Sequence, residues 1–168
     1  MKAYLAGPQM TLDATFEAEE GGCMAECGSG SAMAAAAMTW MGGGTNDQRM
    51  AAASLALQNP FGMICDRIVN RVEAPCLGKN VMAATNASSC TNMALAGYNH
   101  LIPFDEVVIA MNKVAHQIPR ELRCTNLGGL SITPTANRIA KKLAGKAGCG
   151  CRNKVDRQVE KFPTEIAP

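Results

Sequence analysis

Apolar positions recur at helical spacing along most of this chain. Ala32-Met33-Ala34-Ala35-Ala36-Ala37-Met38 joins strong helix formers that are weak strand formers. The pattern predicts a first helix from near Ser29 or Ser31, with either serine as its cap. That helix runs through Trp40 and stops at Gly42-Gly43-Gly44. Thr45 or Asn46 caps a second helix, with Ala51, Ala52, Leu55 and Ala56 on it and Asn59-Pro60 ending it. Pro75, tolerated in a first turn, opens a third helix that reaches about Ala96 and ends at Gly97. Its small residues (Ala83, Ala84, Ala87, Ser88, Ser89, Ala94) suit a helix buried among others. Pro103-Phe104-Asp105-Glu106 opens a fourth, Val107 to about Gln117, closed by Ile118-Pro119. Leu127-Gly128-Gly129-Leu130 reads as an irregular connection. Thr133-Pro134-Thr135 begins a fifth helix, Ala136 to about Leu143. The expectation is an all-α protein, a compact bundle of about five to six helices. Residues 1–12 form an unpatterned lead-in, 13–145 the helical domain and 146–168 a cysteine-containing charged tail.

Composition narrows this picture. The chain has 168 residues, enough for one domain with a core. A net charge of +2 gives no field that would favour nucleic acid or an anionic membrane. Aromatic residues are only 4%, so the core must come from Ala, Met, Leu, Ile and Val in closely packed helices. Met33, Met38, Met82, Met93 and Met111 are expected to fill it. No run of about 20 apolar residues would span a membrane. Met1-Lys2-Ala3-Tyr4 lacks the features of an export signal. Eight cysteines without such a signal point to a reducing, cytoplasmic setting, where thiols bind metal, react or simply pack.

Three cysteines stand out by their surroundings. Cys23 lies in Glu20-Gly21-Gly22-Cys23-Met24-Ala25-Glu26-Cys27-Gly28, where the glycines let the backbone approach a bulky group. Cys65 lies in Met63-Ile64-Cys65-Asp66, and Cys76 in Ala74-Pro75-Cys76-Leu77-Gly78-Lys79-Asn80. Three thiols on connecting turns far apart in sequence read as a cofactor site assembled by folding, with disulfides as the rival. Cys76 at a helix N-terminus is expected to have a lowered pKa. Zinc on Cys23, Cys27, Cys65 and Cys76 is the inorganic rival, although Cys65 and Cys76 are wider apart than the usual close pair. Cys90 and Cys124 read as small buried hydrophobes, and Cys27 equally as hydrophobe or ligand. Cys149-Gly150-Cys151 is a flexible pair that either serves as a displaceable extra ligand or belongs to an inert tail. His100 and His116 have no partner at metal spacing, and His116 reads as a surface residue at a helix end. Glu26 either orients a ligand or starts a helix. Lys141-Lys142 and Lys146 read as a solvated helix end.

Taken together, these motifs resemble the C-terminal half of the α chain of iron–sulfur-dependent L-serine dehydratase (L-serine ammonia-lyase). The likeness runs from Asp13 to about Leu143. It is carried by the block at 20–28 and the Ser-Ala-Met-Ala-Ala-Ala-Ala helix at 31–37. Met63-Ile64-Cys65-Asp66 and Pro75-Cys76 with Lys79-Asn80 follow in order. Ile102-Pro103-Phe104-Asp105-Glu106-Val107, Leu127-Gly128-Gly129-Leu130 and Thr133-Pro134-Thr135 complete it. The resemblance implies a [4Fe–4S] cluster held by Cys23, Cys65 and Cys76, with the fourth iron left open for L-serine. A fully ligated cluster suits electron transfer, whereas an open iron acts as a Lewis acid. The implied reaction is loss of the substrate hydroxyl and α-proton, then hydrolysis of the enamine to pyruvate and ammonia. L-cysteine or another β-substituted amino acid is a related substrate.

The likeness also has gaps. The family's Pro-Thr-Asn-Gly-type substrate loop has no counterpart before Asp13, so part of the pocket is expected to be missing. Glu17-Ala18-Glu19-Glu20 stands where the family has Ser-Gly-Ala-Glu. Asp66-Arg67-Ile68-Val69-Asn70 replaces Asp-Pro-(Val/Ile)-Ala-Gly, placing a new cation beside Cys65. Lys79 stands for the family's arginine, and keeps the charge without the bidentate fork. Cys124 stands where a glutamate is usual. The alternative is therefore a non-catalytic helical homologue, or half of a split enzyme that needs a β chain or an N-terminal-half partner. Exposed apolar surface and homo- or hetero-oligomers are expected.

Overall fold

The computed structural model describes residues 14–71 and 74–146. The lead-in of residues 1–12 and the Cys149-Gly150-Cys151 pair lie outside the described residues. Helices dominate, in the order α1 (Ala18–Cys23), a π-helical segment (Met24–Gly28), α2 (Ser29–Met41), α3 (Asn46–Gln58), α4 (Cys76–Leu95), α5 (Phe104–Gln117) and α6 (Pro134–Lys146). Short 3₁₀ turns occupy Arg120–Leu122 and Gly129–Ile132. Among the described residues, extended pairing is limited to isolated bridges, Cys65 with Arg123 and Ile68 with Arg71. No helix is long and apolar enough to cross a membrane.

The all-α expectation holds, and most predicted boundaries fall within a few residues. Thr45 caps α3 through a capping box: its hydroxyl accepts from the Gln48 N–H, and the Gln48 carboxamide accepts from the Thr45 N–H. α2 ends in the predicted triglycine, with Gly43 at φ 78° in the left-handed region. Thr133 caps α6, its hydroxyl accepting from the Ala136 N–H at 3.3 Å.

Neither Ser29 nor Ser31 caps a helix. The helical path starts at Ala18 and passes through the Cys23 block, so both serines are interior. The Ser29 hydroxyl donates to the Ala25 carbonyl one turn back, and that of Ser31 donates to the Ala83 carbonyl on α4 at 2.8 Å. Ala14 and Phe16, at the start of the predicted helical domain, pack against the core ahead of the first helix.

Two buried clusters hold the helices together. Ala35, Ala51, Ala52, Ala56, Ala87, Cys90 and Ala94 line the contacts among α2, α3 and α4. Side chains this small let helix backbones approach closely. Buried polar groups cross the same seam: Thr91 Oγ1 donates to the Ala35 carbonyl at 3.2 Å, and Asn86 Nδ2 donates to Ser31 Oγ at 2.9 Å and the Ala56 carbonyl at 2.8 Å. The larger apolar cluster joins Met24, Leu57, Phe104, Val107, Val108, Met111 and Ile118 around α5.

The alanine seam corrects the expected role of the methionines. Met111 is fully buried, but Met33, Met38 and Met82 are exposed. Close packing takes the alanine faces of α2 and α4 inward and turns the methionines out. α4 is accordingly half-exposed, not buried all round: Ala83, Ala87, Cys90 and Ala94 are inside, while Leu77, Val81 and Met82 face outward.

Candidate metal centre

The path of the chain around Cys23 depends on Gly22. Its φ of 69° and ψ of −172° break α1 from the π-helical segment. A Cβ there would stand 2.7 Å from the Met63 carbonyl oxygen. With no Cβ in the way, the Met24 N–H donates to that same carbonyl at 2.9 Å. The kinked helix is thereby laid against the segment that carries Cys65. Cys23 is thus helical, not on a turn, and the π-helical stretch after it is the kind of irregularity often found at functional sites.

Cys65 is held by the backbone. Its N–H donates to the Leu122 carbonyl at 2.9 Å, and its own carbonyl accepts from the Cys124 N–H at 2.8 Å. Cys76 is the first residue of α4. The three sulfur atoms all lie within 4.8 Å of one another, and all three residues are buried. Sequence reading selected this trio, and the fold brings it together. Only Cys65 lies on an irregular connection of the kind expected for all three.

The other cysteines fall into place around them. Cys27 packs with Cys23 and Cys65, and its thiol donates to Asn80 Oδ1 at 3.7 Å. It is not part of the trio that shares the 4.8 Å spacing. Cys124 packs beside the cluster with φ 61°, an uncommon conformation for a cysteine, so it is not a plain core residue. Cys90 sits in the alanine seam and is the buried hydrophobe expected.

Burial and mutual contact hold most of these thiols protonated. Cys23 is pushed up to about 12, first by its hydrogen bond with Cys27, and then by burial. The Cys65 thiol is raised by its bond to Cys23 and by burial. Burial raises Cys124 to about 12. Cys27 runs the other way, lowered by its hydrogen bond with Cys23. The expected lowering of Cys76 does not occur: desolvation outweighs the helix N-terminus and its thiol is raised.

A buried ion pair supports the trio from one side. Lys79 lies one turn after Cys76, and its ammonium donates to Asp66 Oδ1 at 2.6 Å and to the Ile64 carbonyl at 2.7 Å. Asp66 Oδ2 accepts from the Leu130 N–H at 2.9 Å. Gly129, at φ 60°, lets the loop close on Asp66, because a Cβ there would stand 2.7 Å from the carboxylate. One aspartate therefore ties the Cys65 segment to α4 and to the Leu127–Leu130 loop. Burial opposes the Lys79 charge, but the Asp66 bond and the neighbouring thiols raise its pKa. Asn80 adds a further tie, donating to the Cys76 carbonyl at 3.0 Å.

The sequence reading missed the Asp66–Lys79 pair, although both residues lie inside its motifs. The available signal was position: Asp66 directly follows one thiol, and Lys79 stands three residues after another. The histidines take no part. His116 is exposed, its Nδ1 2.8 Å from the Asn112 carbonyl oxygen. His100 lines an open hollow with Asp47, Met50, Pro103, Phe104 and Asp105, away from every cysteine named above. Glu26 is exposed.

Similarity to known proteins gives the family. A family model described as serine dehydratase alpha chain matches residues 1–131. The chain is 47% identical over 135 residues to the L-serine dehydratase, alpha chain, of Peptoniphilus asaccharolyticus, covering 80% of this chain and 46% of that one. It is 45% identical over 135 residues to a probable L-serine dehydratase, alpha chain, of Bacillus subtilis, covering 80% and 45%. Against L-serine dehydratase 1 of Escherichia coli the identity is 29% over 133 residues, covering 79% and 29%. The chain thus spans about half the length of the first two of these relatives.

Proposed function

Because this chain belongs to the serine dehydratase alpha chain family, we propose that Cys23, Cys65 and Cys76 hold a [4Fe–4S] cluster at which L-serine is converted to pyruvate and ammonia. The observation that carries this reading is the convergence of three buried thiols from three separate segments within 4.8 Å. The donor set fits the group. It is all sulfur, which suits iron–sulfur and other soft-metal chemistry, and it supplies three ligands where a structural zinc site takes four. When bound, such a cluster with one iron free of protein ligands would supply Lewis-acid assistance to loss of the substrate hydroxyl.

The protein's own residues have definable tasks. The three thiols must give up protons to bind metal, so cluster assembly releases acid and is favoured by rising pH. The Asp66–Lys79 pair and the Gly22 kink fix the segments that carry the thiols. Lys79 also places a positive charge beside sulfur ligands that become anionic on binding. L-cysteine or another β-substituted amino acid is the neighbouring substrate class, since the reaction needs only a leaving group on the β-carbon.

A second reading is favoured by the apolar surface that α4 leaves exposed beside Cys76, at Leu77 and Val81. In that reading the domain folds without catalysing the reaction alone, as a non-catalytic homologue or as half of a split enzyme completed by a partner chain. Anaerobic reconstitution separates the two. About four iron and four sulfide per chain, lost in Cys23→Ser, Cys65→Ser or Cys76→Ser, with pyruvate formed from L-serine, supports the enzyme. Iron without pyruvate supports the incomplete-site reading. A well-folded helical chain that takes up no iron overturns both the cluster and the activity.

A further inference from the structure

An α-amino acid brings a carboxylate to the site, and a buried carboxylate needs a cationic partner. Lys79, one turn after Cys76, and Arg67, two residues after Cys65, are cations carried by the segments that hold the thiols. Lys79 is committed: its ammonium is bound by Asp66 and the Ile64 carbonyl, and its side chain is largely buried.

Arg67 is not committed. It follows Asp66 directly, and its backbone is pinned because Ser131 Oγ donates to the Arg67 carbonyl at 2.7 Å. Its Nε is buried without a hydrogen-bond partner. Its Nη2 lies 3.6 Å from Oε1 of Glu19, beyond hydrogen-bonding distance, and the Glu19 side chain is 63% exposed. A guanidinium is a planar fork matched to a carboxylate, and here one loosely held, solvated carboxylate already stands in front of it. Glu19 lies four residues before Cys23, so the stand-in carboxylate comes from the helix that carries a thiol.

We propose that Arg67 binds the α-carboxylate of the amino-acid substrate beside the three-thiol centre, and that Glu19 occupies it when no substrate is present. The inference rests on the function proposed above and adds a binding residue to it. Bound there, the carboxylate would fix one end of the substrate next to Cys65. Glu19 would compete with it and swing out to solvent as substrate enters.

The test uses the whole reconstituted chain and reads binding rather than turnover, from the change in the cluster's electronic spectrum on titration. L-serine is compared with ethanolamine, which keeps the amine and hydroxyl but lacks the carboxylate. Arg67→Met is expected to weaken L-serine by about 10- to 100-fold, the loss of a charge-assisted bond, and to leave ethanolamine unchanged. Arg67→Lys, with charge but no fork, should fall between. Glu19→Gln should tighten L-serine several-fold by removing the competitor. Iron content equal to that of the unmutated chain certifies each variant. Unchanged L-serine affinity in Arg67→Met overturns the inference. If Arg67→Met loses its iron, Glu19→Gln decides, and an unchanged affinity there overturns it equally. An unmutated chain that loads iron but responds to neither compound, and makes no pyruvate, overturns the proposed activity and this inference with it.

Discussion

Asp66 touches three separate segments through one carboxylate: its own, α4 through Lys79, and the loop at Leu130. A buried pair of this kind is costly to break, because the surviving charge is left without a partner. Asp66→Ala is expected to cost about 3–5 kcal/mol in urea unfolding and to reduce iron uptake. Adding Lys79→Ala should recover part of that stability, so that the double variant falls short of the sum. Simple addition of the two effects would show that the pair is not coupled. The thiols give a second prediction at this scale. A raised thiol pKa means that the folded chain holds the proton more tightly than the unfolded one. That contribution is complete below the ordinary value of 9.0 and fades as pH climbs toward about 12. The metal-free chain should therefore lose urea resistance as pH rises from about 9 toward about 12, and Cys23→Ala should lessen the loss. A pH-independent midpoint over that range would contradict the assignment.

At the scale of elements, the α1–α2 path turns on Gly22. Any other residue would meet the Met63 carbonyl and strain a backbone at φ 69°. Gly22→Ala is expected to destabilise by more than the 1–3 kcal/mol or so of strain alone, and to lower iron content because Cys23 is displaced. Thr45→Ala is the control. It removes the capping box of α3 at a cost of about 1 kcal/mol and should leave iron content unchanged. The same elements show what could be read in advance. The Thr45 cap, the triglycine stop and the placement of Cys76 at a helix start are local signals, and all were legible. The course through Cys23 was not, since Gly-Gly does interrupt the helix at Gly22, and only the contact with Met63 explains why a helical path resumes at once and carries Cys23. The trio of thiols was legible from its glycine- and proline-marked surroundings, and the resemblance added the cluster it is expected to hold. Asp66–Lys79 was not, because the two residues meet only after the loop between them has folded back. Met33, Met38 and Met82 read as core because apolar character does not say which face a helix buries. The alanine faces decided that.

At the scale of the whole molecule, α4 presents Leu77 and Val81 at 61% and 60% exposure, four residues apart and so on one face. They begin one residue after Cys76, so any chain that covered them would also cover the thiol centre's neighbourhood. Trp40, Met41 and Tyr98 are more than half exposed as well. Apolar surface left in water favours association, at about 25 cal/mol for each Å² removed from it. The chain is therefore expected to self-associate in isolation, with a sedimentation coefficient that rises with concentration. Leu77→Lys combined with Val81→Lys should return it to a monomer without loss of helical content, since both side chains point away from the two buried clusters. If the doubly substituted chain still associates, the contact lies elsewhere, and Trp40 and Met41 at the far end of α2 are the next face to substitute. If the unmutated chain is monomeric at every concentration, the exposed face of α4 is tolerated in water and no partner is needed to cover it.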